Sequence, residues 1–409
     1  MGINKKTALQ TVAYTLIGAA IGVHVGLSDD PRLLGITALH PLFWNCAPSR
    51  YSAAVLAAAY YLAAARGVPL GAATFFGDGN SLSLLLGTIL WLSSSAALAL
   101  PWTVLWTERV NILGQILRLA AVYILITIPP IGLFGWASPL LAAGILFPRG
   151  AWLGIAAMTL APPIFHTFRQ SKRKVVSVML PCAFVLYILA SAYILPFDIQ
   201  HPNWFAALDT HHSKSASGSA RFTDAFIRST DVFDWVISQN TPYILLPETI
   251  AGTWNRASKQ LWLPLGRYLE KHGQTLILGA EIYDDTLKYD NCMIFLGKDN
   301  TPIYRQRVPV PISMWRPFGG KGTAKAHWLD DGRITLLDGR TAVCLLCYEQ
   351  YIAWPILLSM LHGKADILIC ASNQWWSKDT CIPNIQAQSS ASWASLFWTF
   401  VHFRDKFIT

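Results

Sequence analysis

Charge is what this 409-residue chain lacks: Asp, Glu, Lys and Arg make up 13% of it, against 53% hydrophobic residues and a mean hydropathy of +0.37. An ordinary soluble protein, with a charged fraction of about 25%, is excluded by that balance. The shortage is sharpest between Asn80 and Phe168, where the only such residues are Glu108, Arg109, Arg118 and Arg149. A cysteine framework is also missing. The seven cysteines (Cys46, Cys182, Cys292, Cys344, Cys347, Cys370 and Cys381) are odd in number and irregular in spacing, which excludes a disulfide-stapled scaffold. Cys344-x-x-Cys347 has no second pair or histidine cluster to complete a zinc site, and strand residues three apart face opposite ways. No metal and no cofactor is therefore expected. A basic patch is absent as well: the net charge is +9, but no recognition fold or aromatic–basic interleaving goes with it, so no nucleic-acid partner is expected.

What is present first is apolar length. Ala8–Leu27 is long enough to cross a hydrocarbon core, and further candidate spans are 51–65, 82–106, 112–136, 139–147 (short), 151–165 and 175–195. Residues 1–200 thus read as a transmembrane helical bundle of about seven spans. Lys5 and Lys6 precede the first run, and Arg169, Lys172, Arg173 and Lys174 precede the last; both groups fit cytoplasmic anchors. Six spans between those anchors put the residues after Pro196 outside the cytoplasm. Arg118, within an apolar run, marks helix packing, a loop misread as a span, or a transport path.

Residues 201–221 read as a polar linker, with His211-His212 and a Ser/Gly-rich stretch from Ser213 to Ser219. From Phe222 the pattern alternates. Helices are predicted at 222–238, 262–271 and 351–361, and strands at 243–246, 275–281, 291–296, 303–306, 341–346 and 367–370. That alternation implies a layered α/β domain over 222–409.

Two residues end apolar strands in this domain. Glu248 follows Ile244-Leu245-Leu246-Pro247, where a carboxylate is partly desolvated and suited to proton transfer; the competing reading is a capping or surface Glu. Cys347 follows Val343-Cys344-Leu345-Leu346, where a thiol meets the needs of a nucleophile; the competing reading is an inert buried Cys.

The order Leu246-Pro247-Glu248-Thr249, Gly279-x-x-x-Tyr283, Tyr289-Asp290-Asn291, Leu296-Gly297, Ile303-Tyr304-Arg305, Val308-Pro309-Val310, Cys347-Tyr348-Glu349 and Asn373-x-Trp375-Trp376 resembles the nitrilase (carbon–nitrogen hydrolase) superfamily. Within it, the chain looks like the membrane branch typified by apolipoprotein N-acyltransferase. The membrane block, with Tyr60-Tyr61-Leu62-Ala63-Ala64-Ala65-Arg66-Gly67, is more similar to TraB-type conjugal transfer proteins. The resemblance implies an αββα sandwich after the bundle, with Glu248 as general base, Cys347 as nucleophile and Glu349 as the acidic residue that follows it. It also implies a Cys thioester and, if the site is active, an amidase or N-acyltransferase at the periplasmic face of a bacterial inner membrane.

The family lysine falls at Gln306, flanked by Arg305 and by Arg307, a candidate cationic substitute. Lys321 and Lys325 would reach the site only if their loop folds back. The stretch Ile312-Ser313-Met314 lacks the second carboxylate of the acyltransferases, and the sandwich is expected either to close differently or to be shortened at its C-terminal end. The alternative is a non-catalytic nitrilase-fold factor that supports plasmid conjugation or envelope assembly. Expected partners are membrane lipid and either an acylated protein or proteins of the conjugation machinery.

Overall fold

The computed structural model describes residues 5–77, 80–108, 111–169, 174–197, 202–208, 227, 232–300, 302–397 and 399–402. The chain divides into two units. One takes the described residues of Met1–Ile199, Tyr351–Trp354 and Trp376–Trp398, and the other those of Gln200–Gln350, Pro355–Trp375 and Thr399–Thr409.

The first unit is helical. Its longer helices are Lys5–Val23, Arg50–Ala64, Val68–Gly77, Ser81–Leu105, Ile112–Thr127, Ala151–Arg169 and Lys174–Tyr193. Three of them start on a polar cap: the side chains of Ser49, Asn80 and Asn111 accept the backbone N–H of Ser52, Ser83 and Gly114. Ser81–Leu105 and Ala151–Phe168 are long and apolar enough to cross a membrane. Arg50–Ala64 and Val68–Gly77, bent by 47°, make a third if counted as one broken span. The apolar runs suggested about seven, and the difference lies in how the runs fold. The run 112–136 is helical only to Thr127, because Pro129 and Pro130 supply no N–H to continue the ladder. The run 139–147 is a 3-10 turn followed by the five-residue helix Ala142–Leu146. Arg118 donates from Nη1 to Leu105 O at 3.0 Å, so it caps the end of a neighbouring helix. The basic residues Lys172 and Arg173 lie outside the described residues.

A further helix, Ile382–Phe397, groups with this unit. Several of its polar side chains bind backbone. Gln388 accepts the Gly26 N–H at 2.9 Å and donates to Ser28 O and Asp30 O, also at 2.9 Å. Ser395 donates to Gly144 O at 2.7 Å. A Cβ at Gly144 would overlap the Ser392 backbone, so the glycine sets how closely the two segments approach.

The second unit holds two mixed sheets. The first runs β1 (Phe205–Ala207), β2 (Tyr243–Leu245), β3 (Thr275–Tyr283), β4 (Tyr289–Gly297) and β5 (Ile303–Arg305), with β1, β2 and β3 parallel and the later pairs antiparallel. The second runs β6 (Arg333–Thr335), β7 (Thr341–Leu346), β8 (Ile367–Ala371) and β9 (Phe400–His402), parallel except between β6 and β7. Alternation along the strands sorts the side chains. Ile277, Met293, Phe295 and Tyr304 meet Ala342, Cys344, Leu346 and Ile369 in a core shared by both sheets. The opposite face of the first sheet, with Ile244, Leu246, Leu276, Leu278 and Ile294, packs on Val232, Val236, Trp262, Leu265 and Leu269 from the helical segments 232–238 and Arg256–Lys271. Helix Ala353–His362 is the crossover between the parallel strands β7 and β8.

Three short strands escape the sequence pattern. β1 lies inside the segment read as a linker and pairs with β2 (Phe205 opposite Tyr243); β6 and β9 are also only three residues long. His211-His212 and, from the helix expected at 222–238, residues 222–226 and 228–231 lie outside the described residues. Helix Arg256–Lys271 starts six residues before the predicted boundary, where Asn255 and Ser258 form a reciprocal capping box.

Candidate active site

Glu248 stands just beyond β2, where Leu246 N still bonds Ile277 O at 2.8 Å. The next strand crowds it. A Cβ on Gly279 would lie 2.5 Å from Glu248 Cα and overlap Thr249 N, so only glycine lets β3 pass this close. Thr249 takes φ +58°, a left-handed conformation that turns the chain sharply after the glutamate. Cys347 ends β7 in the same manner, with φ +50° at the start of the turn Cys347–Gln350. A non-glycine residue held there is strained, and such strain gathers at functional positions.

The two side chains meet. The Cys347 thiol and the Glu248 carboxylate are hydrogen-bonded, and the backbone amides of Tyr348 and Asn373 lie against the sulfur. Glu248 Oε1 accepts from Asn291 Nδ2 at 2.6 Å, and Oε2 accepts from Asn373 N–H at 2.9 Å. Burial pushes the Glu248 carboxyl up to about 7, against the pull of the hydrogen bonds from Asn291, Cys347 and Asn373. Burial, and the Glu248 charge beside it, push the Cys347 thiol well above its ordinary range. At neutral pH the proton therefore rests on sulfur and the base beside it is poised to take it, an arrangement suited to general-base catalysis.

Gln306 is buried among these groups. Its Nε2 donates to Leu346 O at 2.9 Å, its Oε1 accepts from Asn291 Nδ2 at 2.9 Å, and its own N–H donates to Asn291 O at 2.8 Å. Arg307 is engaged elsewhere. Its guanidinium donates to Tyr304 Oη (3.2 Å), Pro355 O (2.9 Å) and Ser359 Oγ (2.9 Å) and lies 3.8 Å from Glu349. The hydrogen bonds of this candidate cationic substitute thus run to Tyr304, Pro355 and Ser359, beside Glu349. Glu349 is fully buried and accepts from Tyr304 Oη (2.6 Å), Leu346 N–H (2.7 Å), Arg307 N–H (2.7 Å) and Val308 N–H (3.1 Å). It ties the end of β7 to the loop after β5, and so holds the turn that carries Cys347. Burial raises the Glu349 carboxyl, and the Arg307 guanidinium opposes that rise.

Strand alternation explains why Arg305 and Lys325 do not join Gln306. Tyr304 and Gln306 point inward from β5 and its continuation, so Arg305 points outward, to Asp290 at 3.3 Å. Asp290 likewise lies across β4 from Asn291. It takes Lys325 at 3.0 Å and His327 Nε2 at 2.7 Å, so the 311–328 loop folds back to the outer face. Asn291 and Asn373 are the site residues that the sequence reading quoted within motifs but gave no role. The signal available was their place two residues from a core-facing strand position, Met293 and Ala371 respectively.

No family model matches the chain. Over 410 aligned positions it is 33% identical to a probable conjugal transfer protein TraB of Sinorhizobium fredii, covering 96% of this chain and 97% of that protein. It is also 32% identical over 398 positions to the conjugal transfer protein TraB of Agrobacterium fabrum, covering 93% and 89%. The chain belongs to the TraB conjugal transfer family. Among solved structures, this TraB-family chain is similar to an amidase from Nesterenkonia sp., with 11% identity and a TM-score of 0.30 over 41% of this chain. A second structure of that amidase, described as of the nitrilase superfamily, gives 10% and 0.31. The aligned part spans 64% of the amidase, under two thirds of its length, and scores this low do not establish a shared fold.

Proposed function

We propose that this TraB-family protein is a multi-pass inner-membrane protein whose second unit is nitrilase-like, faces the periplasm and forms a Cys347 thioester. The hydrogen bond between the Cys347 thiol and a Glu248 carboxylate lifted to about 7 carries the reading. Membrane insertion is supported by the two long apolar helices and by their outward leucines and isoleucine, among them Leu82, Leu85, Ile89 and Leu92. The basic residues before the first and last apolar runs support the orientation.

In the first step Glu248 takes the S–H proton as sulfur bonds to the acyl carbon. The carbonyl electrons move onto oxygen, where backbone amides beside Cys347 stabilise them. Collapse ejects the amine or alcohol, which leaves with the proton held by Glu248. An amine or water then attacks the thioester, gives its proton to Glu248 and releases the thiolate, which recovers that proton. Glu349 and Arg307 hold the turn rather than touch the acyl group.

A tagged, activated acyl ester applied to the full chain in detergent tests the reading. Labelling is expected to disappear in Cys347→Ala and to fall by about 10²-fold or more in Glu248→Gln. Equal labelling of the Cys347→Ala protein overturns it. One observation favours a second reading, a non-catalytic conjugation factor: Gln306, a neutral side chain, sits where the resembling enzymes carry lysine. Full complementation of conjugation by a Cys347→Ala chain selects that reading.

A further inference from the structure

We infer that Gln306 and Asn291 are positioning residues: they close a one-way hydrogen-bonded ring that fixes the base against the nucleophile. This inference rests on the Glu248–Cys347 pair proposed above. The ring runs from Leu346 O to Gln306 Nε2 (2.9 Å), from Gln306 Oε1 to Asn291 Nδ2 (2.9 Å), and from the same Nδ2 to Glu248 Oε1 (2.6 Å). Glu248 closes it on the Cys347 thiol, and Cys347 is the residue that follows Leu346.

The direction of every link is forced. Leu346 O can only accept, so Gln306 must present its NH₂ there and its carbonyl oxygen to Asn291. A Glu248 carboxylate can only accept too. Asn291 therefore faces two acceptors and can meet both only through its NH₂. Turning the Asn291 amide over would set its oxygen against two other oxygens. The cost of the fixed direction is visible: Asn291 Oδ1 is buried with no hydrogen-bond partner among the described residues. The Gln306 N–H to Asn291 O bond (2.8 Å) holds the two backbones in register, so the ring does not depend on side-chain contacts alone.

A lysine at 306 could donate to Leu346 O but could not accept from Asn291, so this ring excludes the residue expected there. The neutral amide is thus an alternative wiring of the same pair: it holds the Glu248 carboxylate by donation from Asn291 instead of by a neighbouring cation.

The pH profile of Cys347 alkylation by iodoacetamide, on the full chain in detergent, tests this without requiring turnover. In the native protein the rate is expected to rise as Glu248 loses its proton, near pH 7. Asn291→Leu removes a hydrogen bond that favours the carboxylate, so the midpoint should move up by about one pH unit. Gln306→Met frees Asn291 to turn and should move the midpoint in the same direction by less, whereas a purely structural role would lower the melting temperature and leave the midpoint in place. Midpoints unchanged in both folded variants overturn the ring. If Glu248→Gln also leaves the profile unchanged, it is the base–nucleophile pair that fails.

Discussion

Removing the Glu349 carboxylate should unfasten the turn that carries Cys347, and the structure sets the scale. Glu349→Ala leaves the buried Arg307 guanidinium without its carboxylate, a loss of about 3–5 kcal/mol for breaking a buried pair. It also strips an acceptor from three backbone donors, the N–H groups of Leu346, Arg307 and Val308, at about 1 kcal/mol or more each. These terms overlap, because a relaxed cavity admits water, so about 4–6 kcal/mol is a fair sum. For a folded unit of this size that corresponds to a melting temperature lower by about 10 °C or more. Differential scanning fluorimetry of the full chain in detergent reads it directly. The double variant Arg307→Met with Glu349→Met removes both charges but leaves the three amides, and should recover about half of the loss. A Glu349→Ala protein melting within about 2 °C of the parent would refute the reasoning, as would a double variant less stable than the single one.

The remaining expectations concern the base, the close strand approach and the last helix. The Glu248 carboxyl titrates near 7 when folded against an ordinary 4.5, so the folded state binds the proton more tightly. Stability should therefore fall by about 3 kcal/mol as pH rises from about 4.5 to about 7, then level off. Melting temperatures taken across that window should show the slope in the parent and not in Glu248→Gln. Gly279→Ala must push β3 away from Glu248 and Thr249, at a cost of about 1–3 kcal/mol, and should slow Cys347 alkylation; an unchanged rate contradicts the packing argument. Gly144→Ala should loosen helix Ile382–Phe397 in the helical unit, read as faster proteolysis between residues 376 and 398, and leave the Cys347 alkylation midpoint unmoved.

The sequence by itself determined the helical first half, the α/β second half and the positions of Glu248 and Cys347 at strand ends. Strand β7 begins and ends where its apolar run does, and Glu248 and Cys347 were marked by apolar runs that stop at them. Those signals are local, and local signals survive in a string of letters. Three-residue strands such as β1, β6 and β9 leave no pattern, because their pairing comes from neighbours far away in the chain. The helix Ile382–Phe397 was hidden for a similar reason: the backbone groups that Gln388 and Ser395 meet in the helical unit lie far away in the chain.

At the site, the sequence supplied Gln306 as a residue at odds with its surroundings and Arg307 as a candidate replacement. Only the tertiary structure shows where each of them lies. Strand alternation sends Arg305 to the outer face, the Glu349 network holds Arg307, and Gln306 is left facing Asn291 and the Leu346 carbonyl. Which donor meets which acceptor depends on strand register and on side chains 15 to 43 residues apart, and nothing local encodes it.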